Sequence, residues 1–121
     1  SNNNQLVFET FDLAVKKYPD AHPLFHSDRG FQYTSKLFKA KLDKQGMEQS
    51  MSRVGRCIDN GPMEGFWGIL KCEMYYLNQF ETYEKLASAV EQFIYYYNHQ
   101  RRQHKLNCLP PATYRSLLEA A

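Results

Sequence analysis

Cysteine, long apolar runs and charge imbalance are all in short supply in this 121-residue chain. Cys57, Cys72 and Cys108 are odd in number and widely spaced, which argues against a disulfide-stapled scaffold and suits a reducing, cytoplasmic compartment. No stretch approaches the roughly 18 apolar residues of a membrane-crossing helix, so no membrane partner is expected, and no secretory leader is recognisable. The 15 basic and 13 acidic residues leave a formal charge of +2, too small to call for nucleic acid by itself. His22 and His26 stand four apart with Pro23 between them, and Cys57 and Cys72 lie far away, so no zinc-binding spacing emerges. No histidine pairs with Cys72 at a nucleophile's spacing, and it reads as a small half-buried residue. Internal repeats and low-complexity segments are absent.

What is present is enough for a core in a single domain. Hydrophobic residues make up 43% of the chain and aromatics 15%, while 23% are charged. After a polar opening, "SNNN", the residues Val7, Phe11, Ala14 and Tyr18 recur on one helical face, and Pro19 ends it. "HPLFHS" reads as a short buried strand with Asp28 at its far end. "TSKLFKAKLDKQG" reads as a helix, capped by Thr34 or Ser35, stopped at Gly46, with Leu37, Phe38 and Leu42 inward. "MEQSM" predicts a second strand and "SRVGRCIDNG" a loop. Pro62 is placed to open a helix running to about Tyr76, a long helix spans roughly Tyr83 to His99 with Leu86, Val90, Phe93 and Tyr97 buried, and Pro111 opens a short last helix. This order of elements predicts an α/β layer arrangement.

On the helix from Pro62, Met63, Phe66, Trp67, Leu70 and Met74 fall on one arc, expected to face the core. Glu64, Gly68, Lys71 and Tyr75 form a separate stripe. Glu64 and Lys71 are two turns apart, roughly 10 Å along the axis, and Gly68 between them offers no side chain to block a polyanion. Asp28 is the other carboxylate of interest; residues 29 to 63, thirty-five in all, separate it from Glu64. Alone, Asp28 would read as a turn residue and Glu64 as part of a solvated face.

Three blocks carry a family resemblance: "HSDRGFQYTS", "GMEQSMSRVGRCIDNGPMEGFWGILKCE" and "FETYEKLASAVEQFIYYYNHQRRQHKLNCLPPATYRS". In this order and spacing, over Leu24 to Leu118, they resemble the catalytic domain of insertion-sequence transposases, bacterial relatives of retroviral integrases. The resemblance implies a ribonuclease H-like α/β fold in truncated form: the second half of the domain, helix-rich, with few short strands. It implies one partial core over residues 1–121, with catalytic blocks at 24–76 and a helical tail at 83–121. It implies Asp28 and Glu64 as catalytic carboxylates and metal ligands, for Mg²⁺ or Mn²⁺, with Lys71 seven residues after Glu64. The implied partners are the DNA of transposon ends and target, in a bacterial nucleoid, and the implied reaction is metal-dependent cleavage and transfer of DNA strands.

One departure stands out. The family's first catalytic aspartate lies on an earlier strand, and only Glu9, Asp12 and Asp20 precede Asp28 here. Glu9 and Asp12 read as an exposed helix face and Asp20 as a turn residue. The expectation is therefore a fragment that lacks the first strands, binds metal weakly and is inactive alone, and whose uncovered sheet edge and helix face favour self-association, with exchange of the first helix between chains. A non-catalytic DNA-binding or dimerising remnant is the alternative. Arg29, Arg53 and Arg56 flank the acidic blocks and read either as phosphate contacts or as solvated loop charges. "NHQRRQHK" reads as a DNA-backbone contact or as cations at a helix C-terminus, with a structural role favoured.

Overall fold

Asparagines and the first serine of the polar opening set the limit of the description: the structure, a computed structural model, describes residues 4–121. Residues 1–3, part of the opening and of the expected 1–121 core, lie outside the described residues. The chain divides into two compact units, one up to Met63 and the other from Glu64 to Ala121, each with its own apolar cluster.

In the first unit, helix α1 (Asn4–Lys17) ends where Pro19 removes a backbone donor. Strand β1 (Phe25–Ser27) follows, then two consecutive helices, α2 (Phe31–Thr34) and α3 (Lys36–Lys44), and strand β2 (Gln49–Met51). The strands pair in parallel, Phe25 with Gln49, His26 with Ser50 and Ser27 with Met51. Parallel neighbours need a crossover, and α2 and α3 supply it. Ser35 caps α3, its hydroxyl accepting from the Phe38 N–H at 3.1 Å. Gly46 (φ 66°) takes the left-handed turn that stops the helix.

Phe38 and Leu42 are fully buried, and Phe11 nearly so. The Phe38 ring lies 5.2 Å from Phe25, 5.5 Å from Phe11 and Tyr33, and 5.9 Å from Phe8. Leu37, expected inside, is exposed, because Phe38 and Leu42 set the inward direction and Leu37 lies about 100° from Phe38 around the helix. On α1, Val7 and Phe11 of the apolar face reach the core, where Phe8 and Val15 also pack. The whole stripe of Val7, Phe11, Ala14 and Tyr18 also lines an open cavity of about 610 Å³.

The second unit carries most of α4 (Gly61–Leu70), extended by a wider π-helical turn at Lys71–Tyr75 in which the Tyr76 N–H donates to the Lys71 carbonyl at 2.8 Å. Helix α5 (Tyr83–His99) matches its expected span and is capped by Thr82, whose hydroxyl accepts from the Lys85 N–H. Helix α6 (Pro111–Ala120) opens on Pro111 and packs against α5. Leu70, Met74 and Phe93 are buried, with Phe66, Ile69, Phe80, Ala89, Val90 and Tyr97 around them. Of the expected arc on α4, Met63 and Trp67 stay exposed. Val90, Phe93 and Tyr97 on α5 form one narrow ridge that meets only part of that arc, and the Trp67 ring rests edge-on against Phe66 at 5.2 Å. Cys72 is exposed rather than half-buried, because it sits on the far side of the π turn from Met74; Cys57 and Cys108 are exposed free thiols too.

The helix-rich character with few short strands is as expected. Among the described residues no helix is long and apolar enough to cross a membrane. Phe38→Ala is expected to cost about 3–5 kcal/mol of stability, read by denaturant unfolding, because it empties the centre of the aromatic cluster. A loss below about 1 kcal/mol would contradict that packing.

Candidate functional site

The first candidate carboxylate sits directly after β1. The backbone of Asp28 leaves the sheet at the C-terminal end of a parallel strand, and its side chain is exposed. Its Oδ1 accepts from the Gly30 N–H at 2.8 Å, forming a side-chain turn across Arg29. A Cβ at Gly30 would come within 2.9 Å of Gln32 Oε1 and 3.0 Å of Asp28 Oδ1, so the ends of those two side chains would have to shift to admit one. Asp28 is thus a turn residue through one oxygen, and the residue as a whole is exposed. It also borders the open cavity beside α1.

Behind Asp28 lies a polar cluster. Ser27 and Ser52 are buried. The Ser52 N–H donates to the Ser27 carbonyl at 2.9 Å, continuing the β1–β2 ladder by one bond. The Ser52 hydroxyl donates to Asn60 Oδ1 at 2.7 Å, and the Ser52 carbonyl accepts from Arg29 Nε at 2.8 Å. His26 sits between two hydroxyls, with Nδ1 2.9 Å from Ser50 Oγ and Nε2 3.4 Å from Ser52 Oγ. His22 Nδ1 lies 2.6 Å from the Gln45 carbonyl. Neither histidine joins a metal cluster: among the described residues no three His, Cys, Asp or Glu side chains gather to hold a metal ion.

The arginines differ in their engagement. Arg29 is bound to the Ser52 backbone through Nε. Arg53 grips Asp59 in two-pronged fashion, Nε to Oδ2 at 3.0 Å and Nη2 to Oδ1 at 2.9 Å, and its N–H adds a third bond to Oδ2 at 2.9 Å. These side-chain hydrogen bonds, then the backbone bond, hold the Asp59 carboxyl well below the usual carboxylate range, with His26 contributing, and they raise Arg53. Arg56 is exposed and has no ion-pair partner among the described residues.

In the second unit, Glu64 lies in the first turn of α4, where the helix dipole favours a carboxylate. Glu64, Gly68, Lys71 and Tyr75 are all exposed, as the stripe expected from the sequence requires. A Cβ at Gly68 would meet open space, so the surface between Glu64 and Lys71 is unobstructed. Glu64 and Lys71 form no ion pair or side-chain hydrogen bond among the described residues, and both charged groups face solvent. In the basic cluster after α5, Arg101 binds Glu73 at 2.8 Å and lies over the Tyr97 ring at 5.6 Å. Those contacts tie the tail to α5 and the π turn.

Of the earlier acids, Glu9 accepts from Gln5 within α1, Asp12 pairs with Lys41 at 2.9 Å, and Asp20 lies in the turn after α1. The sequence reading did not single out Ser52, Asn60 or Asp59. Ser52 directly follows β2, and Asp59 and Asn60 lie in a single 3-10 turn (Cys57–Asn60) where a loop was expected, a piece too short to show periodicity; the only available signal was the concentration of polar residues between a strand and a helix.

The model of the integrase core domain matches residues 64–117. The chain is 42% identical over 116 residues to an uncharacterized transposase-like protein of Haemophilus influenzae, covering 96% of this chain and 54% of that protein. It is 43% identical over 112 residues to the putative transposase InsK for insertion sequence element IS150 of Escherichia coli, covering 92% of this chain and 40% of that protein. It is 40% identical over 98 residues to the insertion element IS600 uncharacterized 31 kDa protein of Shigella sonnei, covering 80% of this chain and 36% of that protein. The chain therefore spans about half the length of these relatives, or less. With the integrase core domain matched over residues 64–117 and transposase relatives aligned along nearly its whole length, the chain is similar to part of the insertion-sequence transposases.

Proposed function

We propose that this chain is part of a DNA transposase that cleaves and transfers DNA strands by metal-dependent phosphodiester chemistry, with Asp28 and Glu64 as two of its catalytic carboxylates. The observation that carries the reading is the exposed, unobstructed stripe of Glu64, Gly68 and Lys71 in a chain similar to these transposases. The exposed position of Asp28 directly after a strand end adds to it. In this reading the two units are parts of one truncated ribonuclease H-like core, with catalytic blocks at 24–76 and a tail at 83–121.

Carboxylate oxygens are the donors that Mg²⁺ or Mn²⁺ prefer, so Asp28 and Glu64 fit the metal in kind. When bound, a pair of such ions supplies an activated attacking oxygen and stabilises the leaving oxygen. The chain's own part is to hold and orient. Asp28 is fixed by its turn, with one oxygen committed to Gly30. Lys71 places a positive charge on the same helix face as Glu64, suited to a phosphate rather than a base edge. Arg56 is available to a phosphate in the same way, whereas Arg53 is already neutralised by Asp59 and Arg29 is bound to backbone. Two carboxylates are a sparse ligand set, so this chain alone binds metal weakly and has little or no strand-transfer activity.

The cavity beside α1 also supports the expected self-association, because Val7, Phe11, Ala14 and Tyr18 line it without filling it. We propose a homo-oligomer in which α1 is exchanged between chains.

Titration with Mn²⁺, read by paramagnetic broadening of backbone amide resonances, is expected to affect the Asp28 and Glu64 blocks together at weak, roughly millimolar, affinity; Asp28→Asn or Glu64→Gln should each abolish the joint effect. Broadening at one block alone, or strand joining by the purified chain, would contradict this reading. Lys71→Ala should weaken DNA binding for all sequences alike and lower the salt slope by about 1. An unchanged slope would remove Lys71 from the phosphate contacts. Size-exclusion with light scattering should show concentration-dependent dimers, and a monomer throughout would count against α1 exchange.

A further inference from the structure

The segment that joins the π turn to α5 leaves aromatic rings outside the apolar seam of the second unit. Tyr75, Tyr76, Phe80 and Tyr83 line one open hollow of about 790 Å³, whose walls all come from residues 75–86. Tyr76 and Tyr83 are 67% and 79% exposed, so core packing does not account for them. The Tyr75 and Phe80 rings are stacked, 14° from parallel with centroids 6.1 Å apart, and the Tyr76 ring meets Tyr75 at 60°. Phe80 packs against the cluster of Leu70, Met74 and Phe93, which anchors the stack, whereas Tyr75 stays 44% exposed. The hollow therefore presents a held, flat ring to solvent, a geometry that suits another flat ring.

Polar groups border the same hollow. Asn78 Nδ2 donates to the Met74 carbonyl at 2.7 Å, leaving Oδ1 to accept. Thr82 Oγ1 accepts from the Lys85 N–H at 3.2 Å, leaving its proton to donate. Glu81, the acid of the lining, pairs with Lys85 at 3.1 Å, so its charge is offset. Lys71 opens the π turn of which Tyr75 is the last residue, and the two lie about one turn apart on the same exposed stripe. Lys71 has no ion-pair partner among the described residues. A free cation and a flat ring thus stand side by side on one helix face.

We propose that this hollow binds an unpaired base of single-stranded DNA, with the base stacked on Tyr75 and an adjoining phosphate held by the Lys71 ammonium. The inference rests on the reading of the chain as part of an enzyme that acts on DNA; it needs no metal and lies wholly within the second unit. An ammonium selects a phosphate, whereas an aromatic plane selects the face of a base. Bases inside a duplex have both faces covered by their neighbours. The pairing of Lys71 with Tyr75 therefore favours a strand whose bases are free, as at a frayed or cleaved DNA end. Stacking tolerates every base, so the site fixes where a strand lies rather than which sequence it carries.

The test is fluorescence anisotropy of the full chain with three dye-labelled probes: a short single-stranded oligonucleotide, its blunt duplex, and a strand of the same length built from abasic sites. The base-bearing strand should bind more tightly than the abasic one. Tyr75→Ala should weaken binding of the base-bearing strand by about fivefold to a hundredfold, while the abasic strand, the duplex and the salt slope stay as they were. Tyr75→Phe keeps the ring and should bind like the unaltered chain. A melting curve shows whether Tyr75→Ala folds; if it does not, the base-bearing and abasic strands compared on the unaltered chain decide the question. Equal affinity for those two strands, or a folded Tyr75→Ala that binds as before, would overturn the stacking site while leaving DNA as the ligand. An equal loss on the duplex would overturn the preference for unpaired bases. Absence of binding to all three probes by the unaltered chain would overturn DNA as the ligand and the stacking site together.

Discussion

The contact of Phe38 with the strand and helix on either side of it is the constraint that the first unit depends on. A parallel pair of three-residue strands has few hydrogen bonds and cannot hold its own register. The crossover helix α3 must be pressed onto it, and Phe38 is the residue that does so, with Phe25 of β1 on one side and Phe11 of α1 on another. Leu42, one turn further, completes the seam. Because Phe25 belongs to β1, the same contact fixes the strand end from which Asp28 projects. The position of the first candidate carboxylate is thus an outcome of aromatic packing two elements away.

The polar chemistry sits where that packing stops. Beyond Ser27 the strands hand over to a cluster of hydroxyls, an imidazole and an amide, all of them paired. Buried polar groups of this kind are tolerable only when satisfied, and here each bond also locks a loop. Arg53 and Asp59 close the same loop from its exposed side. The second unit is built differently, by an apolar seam of Leu70, Met74 and Phe93, with its charged stripe on the opposite, open face of α4. Two ways of holding a carboxylate result: a turn that uses up one oxygen of Asp28, and a helix face that leaves Glu64 without an ion-pair partner among the described residues.

Much of this was legible in the chain itself. The bounds of α5, the strands at Phe25 and Gln49, the Ser35 cap and the Gly46 stop follow from periodicity and turn chemistry, which act over a few residues. Leu37, Met63 and Trp67 are exposed for one shared reason: periodicity names an apolar arc but not how wide a neighbour will cover it. On α1, Ala14 and Tyr18 line a cavity while Val7 and Phe11 of the same stripe also reach the core. The short helix α2 and the π turn were also invisible, since each is set by its surroundings more than by its own residues.

The sequence alone determined most of the elements and the open stripe that pairs Glu64 with Lys71, because helical spacing and glycine's missing side chain are local properties, while Asp28 and Glu64 stood out as candidate acids through the family resemblance. Tertiary structure alone decided that Asp28 spends one oxygen on Gly30, that Arg53 is held by Asp59, and that Ser52 gathers Ser27, Arg29 and Asn60 around itself. Those bonds join residues up to 25 positions apart. Their partners are chosen by the parallel pairing of two strands brought together by a buried phenylalanine, and no local pattern records that choice.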